Sequence, residues 1–112
     1  MSNNRYNGWK NYETWNVALW LDNDGSDFND VAAEFIRDNF DEDHPTDFDS
    51  AYQDMAKYLE NMIDEMRPEV TGMFADLLGA ALGQVDWYEI ATHYIDDISE
   101  ETIKEIKGES ND

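Results

Sequence analysis

Apolar residues recur at helical spacing along most of the chain. The clearest stripe predicts a helix near residues 27 to 39, where Phe28, Val31, Phe35 and Ile36 fall on one face. The same period predicts helices near residues 12 to 22, 46 to 66, 69 to 82 and 86 to 98, and a short one that restarts at Ser99. No segment alternates convincingly between apolar and polar residues. The expected fold is therefore all-α, a compact bundle of five to six short helices with an ordered aromatic N-terminal arm.

Helix-capping and helix-breaking residues separate these segments. Asn11 is expected to cap the first helix, and Asp86 the one near residues 86 to 98, with Glu89 as its reciprocal partner. Gly25 is expected to adopt a left-handed conformation in the turn that ends the first helix. Pro45 interrupts the chain before the third helix because proline cannot continue a helix interior.

Two segments carry specific expectations about burial. The segment near residues 69 to 82 is the least polar, and it is expected to be the central packing element. In the first helix the inward face is expected to comprise Trp15, Ala18, Leu19 and Leu21, whereas Val17 and Trp20 fall off that stripe. The aromatic side chains Tyr6, Trp9, Trp15 and Trp20 are expected to pack the arm onto the bundle.

Length and charge define the class of protein. The 112 residues are expected to form a single acidic helical domain over residues 1–107, with a frayed tail over residues 108–112. The formal net charge is −20, from 27 carboxylates against 7 Lys and Arg. A chain this acidic is often disordered, but 41% of its residues are hydrophobic and it holds four Trp, six Tyr and five Phe. That apolar surface is sufficient for folding.

The composition also excludes several functions. Without cysteine there is no disulfide and no thiolate nucleophile. Direct binding of nucleic acid is not expected, because its affinity comes from Lys and Arg that neutralise phosphates, and binding to anionic membranes is disfavoured for the same reason. The sequence shows no signal peptide and no apolar run long enough to span a membrane, so a cytoplasmic location is the expectation.

No motif indicates catalysis. Glu89, His93 and Asp97 stand four residues apart and would share one helix face, which leaves a small metal-dependent enzyme as a distant alternative. His93 is more simply a helix-surface residue, and His44 lies in an acidic loop. The phosphate-binding, nucleophile-elbow and zinc-protease signatures are absent from the sequence. We therefore expect no enzyme activity, no catalytic residue, no metal and no cofactor.

The density of negative charge in the first half is the main functional signal. Eleven of the 28 residues from Asp22 to Asp49 are acidic, and Arg37 is the only basic one. Like charges four residues apart destabilise a helix by roughly 0.2 to 0.5 kcal/mol per pair, so folding alone does not require them. Solubility is an equally good explanation of the charge. The residues expected to contact a partner are Asp22, Asp24, Asp27, Asp30, Glu34, Asp38, Asp41, Glu42 and Asp43.

Two stretches resemble a family of small, uncharacterised proteins from bacteriophages and mobile elements. The opening, Tyr6–Asp24, reads YNGWKNYETWNVALWLDND and resembles that family's N-terminal signature, YNGWxNxETWNVALWxDND. The stretch Asp86–Tyr94 is similar to its closing helix. The family has no assigned activity. The resemblance implies a phage setting in a bacterial cytoplasm and, with it, interference with a host system.

These observations lead to one functional hypothesis and one alternative. The hypothesis is an acidic inhibitor, a nucleic-acid mimic, that occupies the basic groove of a host DNA- or RNA-handling protein such as a CRISPR or restriction nuclease. Tyr6 and Trp9 would add an apolar anchor. The alternative is an adaptor module that binds a protein through the aromatic arm or a groove lined by Met55, Met62 and Met66, with the acidity serving solubility alone. Either protein is compatible with a homodimer.

Overall fold

Five α-helices account for most of the computed structural model, which describes residues 6–23 and 28–110. They are α1 (Tyr12–Asn23), α2 (Phe28–Asp38), α3 (Asp49–Met66), α4 (Met73–Gly83) and α5 (Trp87–Ser110). Within the described ranges the only strand-like pairing is an isolated bridge between Tyr6 and Trp9. The prediction of an all-α fold is confirmed.

The predicted caps begin α1 and α5. Asn11 Oδ1 accepts a hydrogen bond of 2.9 Å from the backbone N–H of Thr14, and Asp86 Oδ1 accepts one of 3.0 Å from that of Glu89. Each bond satisfies a backbone donor that the first turn of a helix leaves without a partner. The predicted reciprocal bond between Glu89 and Asp86 is wrong, because the backbone N–H of Asp86 donates to Thr14 and the Glu89 carboxylate accepts a bond of 2.8 Å from the backbone N–H of Lys10. The N-terminal arm is thereby attached to the start of α5.

The centre of the bundle is α5, which contacts α1, α2 and α3. Its side chains Ile90, Ala91 and Ile95 are fully buried. The helix continues without a break to Ser110, so the prediction of a separate helix from Ser99 is wrong. Ser99 does not end the helix, because no proline or glycine accompanies it and its hydroxyl bonds back to the carbonyl of Asp96.

The helix α2 lies along α5 and runs in the same direction. Phe28, at its start, packs its ring 5.7 Å from that of Tyr94, and Arg37, near its end, forms an ion pair with Glu105. One face of α2 enters the core through Phe28, Ala32 and Ile36. The helix α3 completes this core with Ala51, Met55 and Leu59.

The apolar helix α4 is not the central packing element, and that prediction is wrong. None of its side chains is buried, and Met73, Phe74 and Leu77 are 65%, 64% and 59% exposed. It begins at Met73, later than predicted, after Gly72 with a φ of 62°. The hydrophobicity of α4 suggested a central position, but α5 occupies the centre of the bundle. The radius of gyration of 16.3 Å exceeds the roughly 13 Å typical of a globular domain of this length, as expected for a helix outside the core.

The residues on the buried face of α1 differ in part from those predicted. Thr14, Ala18 and Leu21 are buried, whereas Leu19 is 41% exposed and Trp20 69% exposed. The prediction that Leu19 faces inward is therefore wrong, because it lies about 100° around the helix from Ala18. Trp20 does not pack the arm onto the bundle, and that expectation is wrong as well.

None of the helices in the described part of the chain combines the length and the apolar character needed to cross a membrane.

Candidate acidic interface

The outer face of α2 carries a row of three carboxylates. Asp30, Glu34 and Asp38 are spaced four residues apart and all are exposed, while the opposite face of the helix is buried. Within the described part of the chain, Glu34 and Asp38 form no ion pair and accept no hydrogen bond. The core fixes the helix that carries the row, and the side chains of Glu34 and Asp38 are exposed to solvent.

The loop after α2 extends the negative charge. Asp41, Glu42 and Asp43 are exposed. Asp41 accepts a hydrogen bond of 2.9 Å from the backbone N–H of Asp43, and its other oxygen lies 3.1 Å from Nδ1 of His44. The bond from Asp43 and the contact with His44 hold the pKa of Asp41 below its usual range. The carboxylate of Asp41 therefore stays ionised while it shapes the turn.

The end of α1 meets the start of α2 at Tyr94. The Tyr94 hydroxyl donates a hydrogen bond of 2.6 Å to Asp22, and its ring contacts Phe28. Asp22 is exposed and lies at the α1 end of the predicted partner surface. Asp24 and Asp27, also predicted for that surface, lie outside the described residues. We call Asp22, Asp30, Glu34, Asp38, Asp41, Glu42 and Asp43 the acidic face.

A second row of acidic residues, on α5, was missed by sequence reasoning. Asp97, Glu101 and Glu105 are exposed and repeat the four-residue spacing of the α2 row. Glu105 receives the guanidinium of Arg37 at 3.0 Å, which places this side of α5 next to α2. The repeat was visible in the sequence, but the packing of α2 along α5 was not.

The acidic face holds many more carboxylates than cations. Arg37 is the only basic residue between Phe28 and Asp43, and its guanidinium pairs with Glu105 on α5. The ion pairs of Lys10, Arg67 and Lys104 involve carboxylates outside that face. Between Phe28 and Asp43, six carboxylates are therefore accompanied by one Lys or Arg.

The two predicted apolar anchors of the arm differ in availability. Tyr6 and Trp9 close the arm with reciprocal backbone hydrogen bonds of 2.6 and 2.8 Å. Trp9 is half-buried, with its ring 5.0 Å from the imidazole of His93, so it holds the arm against α5. Tyr6 is 41% exposed, although its ring also contacts Trp15. Tyr6 is therefore the more available anchor.

Trp20 is the exposed aromatic residue that sequence reasoning did not select as an anchor. It is the most exposed large apolar side chain among the described residues, and it lies two positions before Asp22. Tryptophan is enriched among the residues that contribute most to binding in protein interfaces. The sequence did indicate that Trp20 is exposed, because this residue falls off the apolar stripe of α1.

The groups considered for metal binding or a methionine groove take structural positions. His93 is exposed on α5 with its ring in contact with those of Trp9 and Tyr94, and no three metal-ligating side chains in the described ranges are arranged to hold an ion. Met55 is fully buried in the core, and Met62 is half-buried against it. Only Met66 of the predicted groove is largely exposed, so these methionines do not form a groove.

Comparison with known proteins identifies the family. A family model described as "Family of unknown function (DUF7249)" matches residues 2–112. No curated protein and no solved structure matches the chain. Since the match extends over nearly the whole sequence, this protein belongs to DUF7249, a family of unknown function.

Proposed function

We propose that this protein is a stoichiometric inhibitor that binds the basic groove of a nucleic-acid-handling protein through its acidic face. The observation that carries the proposal is the arrangement of α2, which presents Asp30, Glu34 and Asp38 on one side and buries Phe28, Ala32 and Ile36 on the other. The core thus fixes the helix that carries the carboxylates, and a partner need not order this segment of backbone on binding.

The spacing of the carboxylates suits a phosphate-binding groove. Side chains four residues apart on a helix stand about 5 to 6 Å from one another. A groove that binds nucleic acid lines up Lys and Arg to neutralise closely spaced phosphates, so a rigid anionic row satisfies the same cations. The carboxylates of the loop and of the second row on α5 would widen the contact. We expect fast association that weakens as salt increases.

An apolar anchor would add affinity that salt does not remove. Trp20 is exposed on α1 two residues before Asp22, which places it around the helix from that carboxylate, beyond the edge of the acidic face. Burial of a tryptophan in a partner's pocket contributes strongly to binding, and a partner cation can also approach its ring. In this proposal Trp20 takes the anchoring role, while Trp9 holds the arm.

The resemblance of Tyr6–Asp24 to phage proteins suggests the class of target. A phage protein of this kind would act in the cytoplasm of the host on a nuclease that attacks phage DNA or RNA, such as a CRISPR effector or a restriction enzyme. Inhibition would require one copy per groove and no chemistry.

The proposal is tested by charge reversal on α2. The variant Asp30→Lys/Glu34→Lys/Asp38→Lys should no longer displace labelled DNA or RNA from nucleases that the wild-type protein inhibits. A matched control, Glu60→Lys/Asp64→Lys/Glu65→Lys, makes the same change in net charge on exposed positions of α3 and should retain inhibition. The proposal fails if the wild-type protein displaces nucleic acid from no member of a panel of CRISPR and restriction nucleases. It also fails if the two variants lose inhibition equally.

A further inference from the structure

The exposed side of α4 forms an apolar strip along the whole helix. Met73, Phe74 and Leu77 lie on it, followed by Ala80 and Ala81 one to two turns later. No other helix packs extensively on α4, and none of its side chains is buried. A soluble monomer rarely leaves such a contiguous patch uncovered, because apolar surface in water is unfavourable.

The charge of the molecule restricts what can cover this strip. Between Val70 and Val85 the sequence contains one charged residue, Asp76, whereas the other 26 carboxylates lie elsewhere. A second copy carries the same net charge of −20, so approach through the surfaces that carry the carboxylates is repulsive. The strip on α4 lies in a stretch of 16 residues with one charge, so two copies meet there with less repulsion than through the acidic face. A basic partner, in contrast, would be drawn to the acidic face.

The order of side chains along the strip also favours a second copy. Large residues, Met73 and Phe74, occupy its start, and small ones, Ala80 and Ala81, occupy its end. When two copies pack antiparallel about a two-fold axis at Leu77, Phe74 of one copy faces Ala80 of the other, and Met73 faces Ala81. Large side chains then fill the space above small ones, as a self-complementary interface requires.

We propose that α4 is a homodimerisation helix that pairs antiparallel with α4 of a second copy, with Leu77 at the two-fold axis. A strip of 11 residues is about 16 Å long and buries less than the roughly 800 Å² per partner of a standard interface. The dimer is therefore concentration-dependent. It shares no residue with the acidic face, so this proposal does not depend on the proposed function.

Sedimentation equilibrium of the full chain tests the dimer. The average mass should rise from monomer to dimer with increasing protein concentration, and added salt should strengthen the association because it screens repulsion between the copies. Binding through the acidic face has the opposite dependence on salt, so the two interactions are distinguishable. Leu77→Asp should be monomeric at every concentration with an unchanged circular dichroism spectrum. Wild-type protein that remains monomeric at millimolar concentration in high salt would overturn the proposal.

Single cysteines test the position of the axis, since the chain has no natural cysteine. Under mild oxidation Leu77→Cys should form a disulfide-linked dimer at least tenfold faster than Trp20→Cys, a control that is also exposed and lies on α1. Mixed Phe74→Cys and Ala80→Cys chains should cross-link to each other faster than either does to itself. Equal rates for Leu77→Cys and Trp20→Cys would contradict a dimer at α4. Self-linking of Phe74→Cys that outpaces the mixed reaction would contradict the antiparallel arrangement.

Discussion

The hydroxyl of Tyr94, on α5, donates a hydrogen bond of 2.6 Å to the carboxylate of Asp22 at the end of α1. Tyr94 is buried, and its ring also contacts Phe28 at the start of α2. A single side chain therefore joins three helices at the point where the acidic face begins. Asp22 has a structural role that Glu34 and Asp38 do not share.

Loss of this hydrogen bond should destabilise the fold. Tyr94→Phe removes the donor to an ionised acceptor, which should lower the free energy of unfolding by about 1.5 kcal/mol. Asp22→Ala should lower it by a similar amount because the buried hydroxyl then loses its partner. Glu34→Ala, a control on the acidic face, should change it by less than about 0.5 kcal/mol. Urea denaturation measures all three. Equal stability of Tyr94→Phe and the wild type would contradict a structural role for the bond.

The phenols of Tyr52 and Tyr94 should make the fold sensitive to alkaline pH. Burial, and hydrogen bonds to Asp96 and Asp22 respectively, raise the pKa of each phenol well above its ordinary value. The folded protein then retains protons that the unfolded chain releases above about pH 10. The free energy of unfolding should therefore be fully retained below that pH and fall as pH rises above it.

Two measurements check this dependence. Ultraviolet absorbance of tyrosinate should show that Tyr52 and Tyr94 resist ionisation near pH 10, together with Tyr88, whose hydrogen bond to Asp49 also raises its pKa. Tyr94→Phe should remove one of them and flatten the loss of stability at high pH. A titration in which every tyrosine ionises near pH 10 without unfolding would contradict the expectation.

The buried hydroxyl of Thr14 connects the caps of α1 and α5. It donates to Asn11 Oδ1 over 2.6 Å and accepts from the backbone N–H of Asp86 over 2.9 Å. Thr14→Val keeps the shape but leaves that N–H without its acceptor, which should cost about 1 to 3 kcal/mol. Thr102→Val is the matched control, because Thr102 is also buried but bonds only to the carbonyl of Ile98 within its own helix. Thermal or urea denaturation should show a loss for Thr14→Val of at least twice that of Thr102→Val.

Sequence periodicity identified the helices but not all of their environments. The stripe of α2 was predicted correctly because one face is apolar and the other is charged, so only one orientation buries it. The helix α4 is apolar on several sides. Such a pattern indicates that the helix is covered, but it does not distinguish covering by the same chain from covering by another molecule. The caps Asn11 and Asp86 could be predicted, since the bonds they make are local. The second acidic row depends on the packing of α2 along α5, which no local pattern specifies.

The different burial of α3 and α4 can be tested by replacing one leucine on each helix with Ala and comparing the loss of stability. Leu59 is fully buried on α3. Leu59→Ala should lower the free energy of unfolding by about 2 to 5 kcal/mol, because the change removes apolar contacts and leaves a cavity. Leu77→Ala should lower the free energy of unfolding by less than about 0.5 kcal/mol at protein concentrations where the chain is monomeric, because the side chain is 59% exposed. Urea denaturation compares the two variants. A loss of several kcal/mol for Leu77→Ala would place α4 in the core after all.

The acidic face implies that binding and stability oppose each other at Asp38. This residue is the last of α2, where a negative charge is unfavourable to the helix dipole, and it lies four residues after Glu34. Asp38→Lys replaces repulsion by attraction and places a cation at the helix end, so it should raise the free energy of unfolding by about 1 kcal/mol. Asp38→Asn should give about half of that gain. If the carboxylate is there for a partner, the more stable Lys variant should also bind its nuclease more weakly, with the loss reduced at high salt. Urea denaturation and nucleic-acid displacement by the same protein preparation measure both effects. A Lys variant that is less stable than wild type would show that folding itself requires Asp38, and the case for a charge kept for binding would be lost at this position.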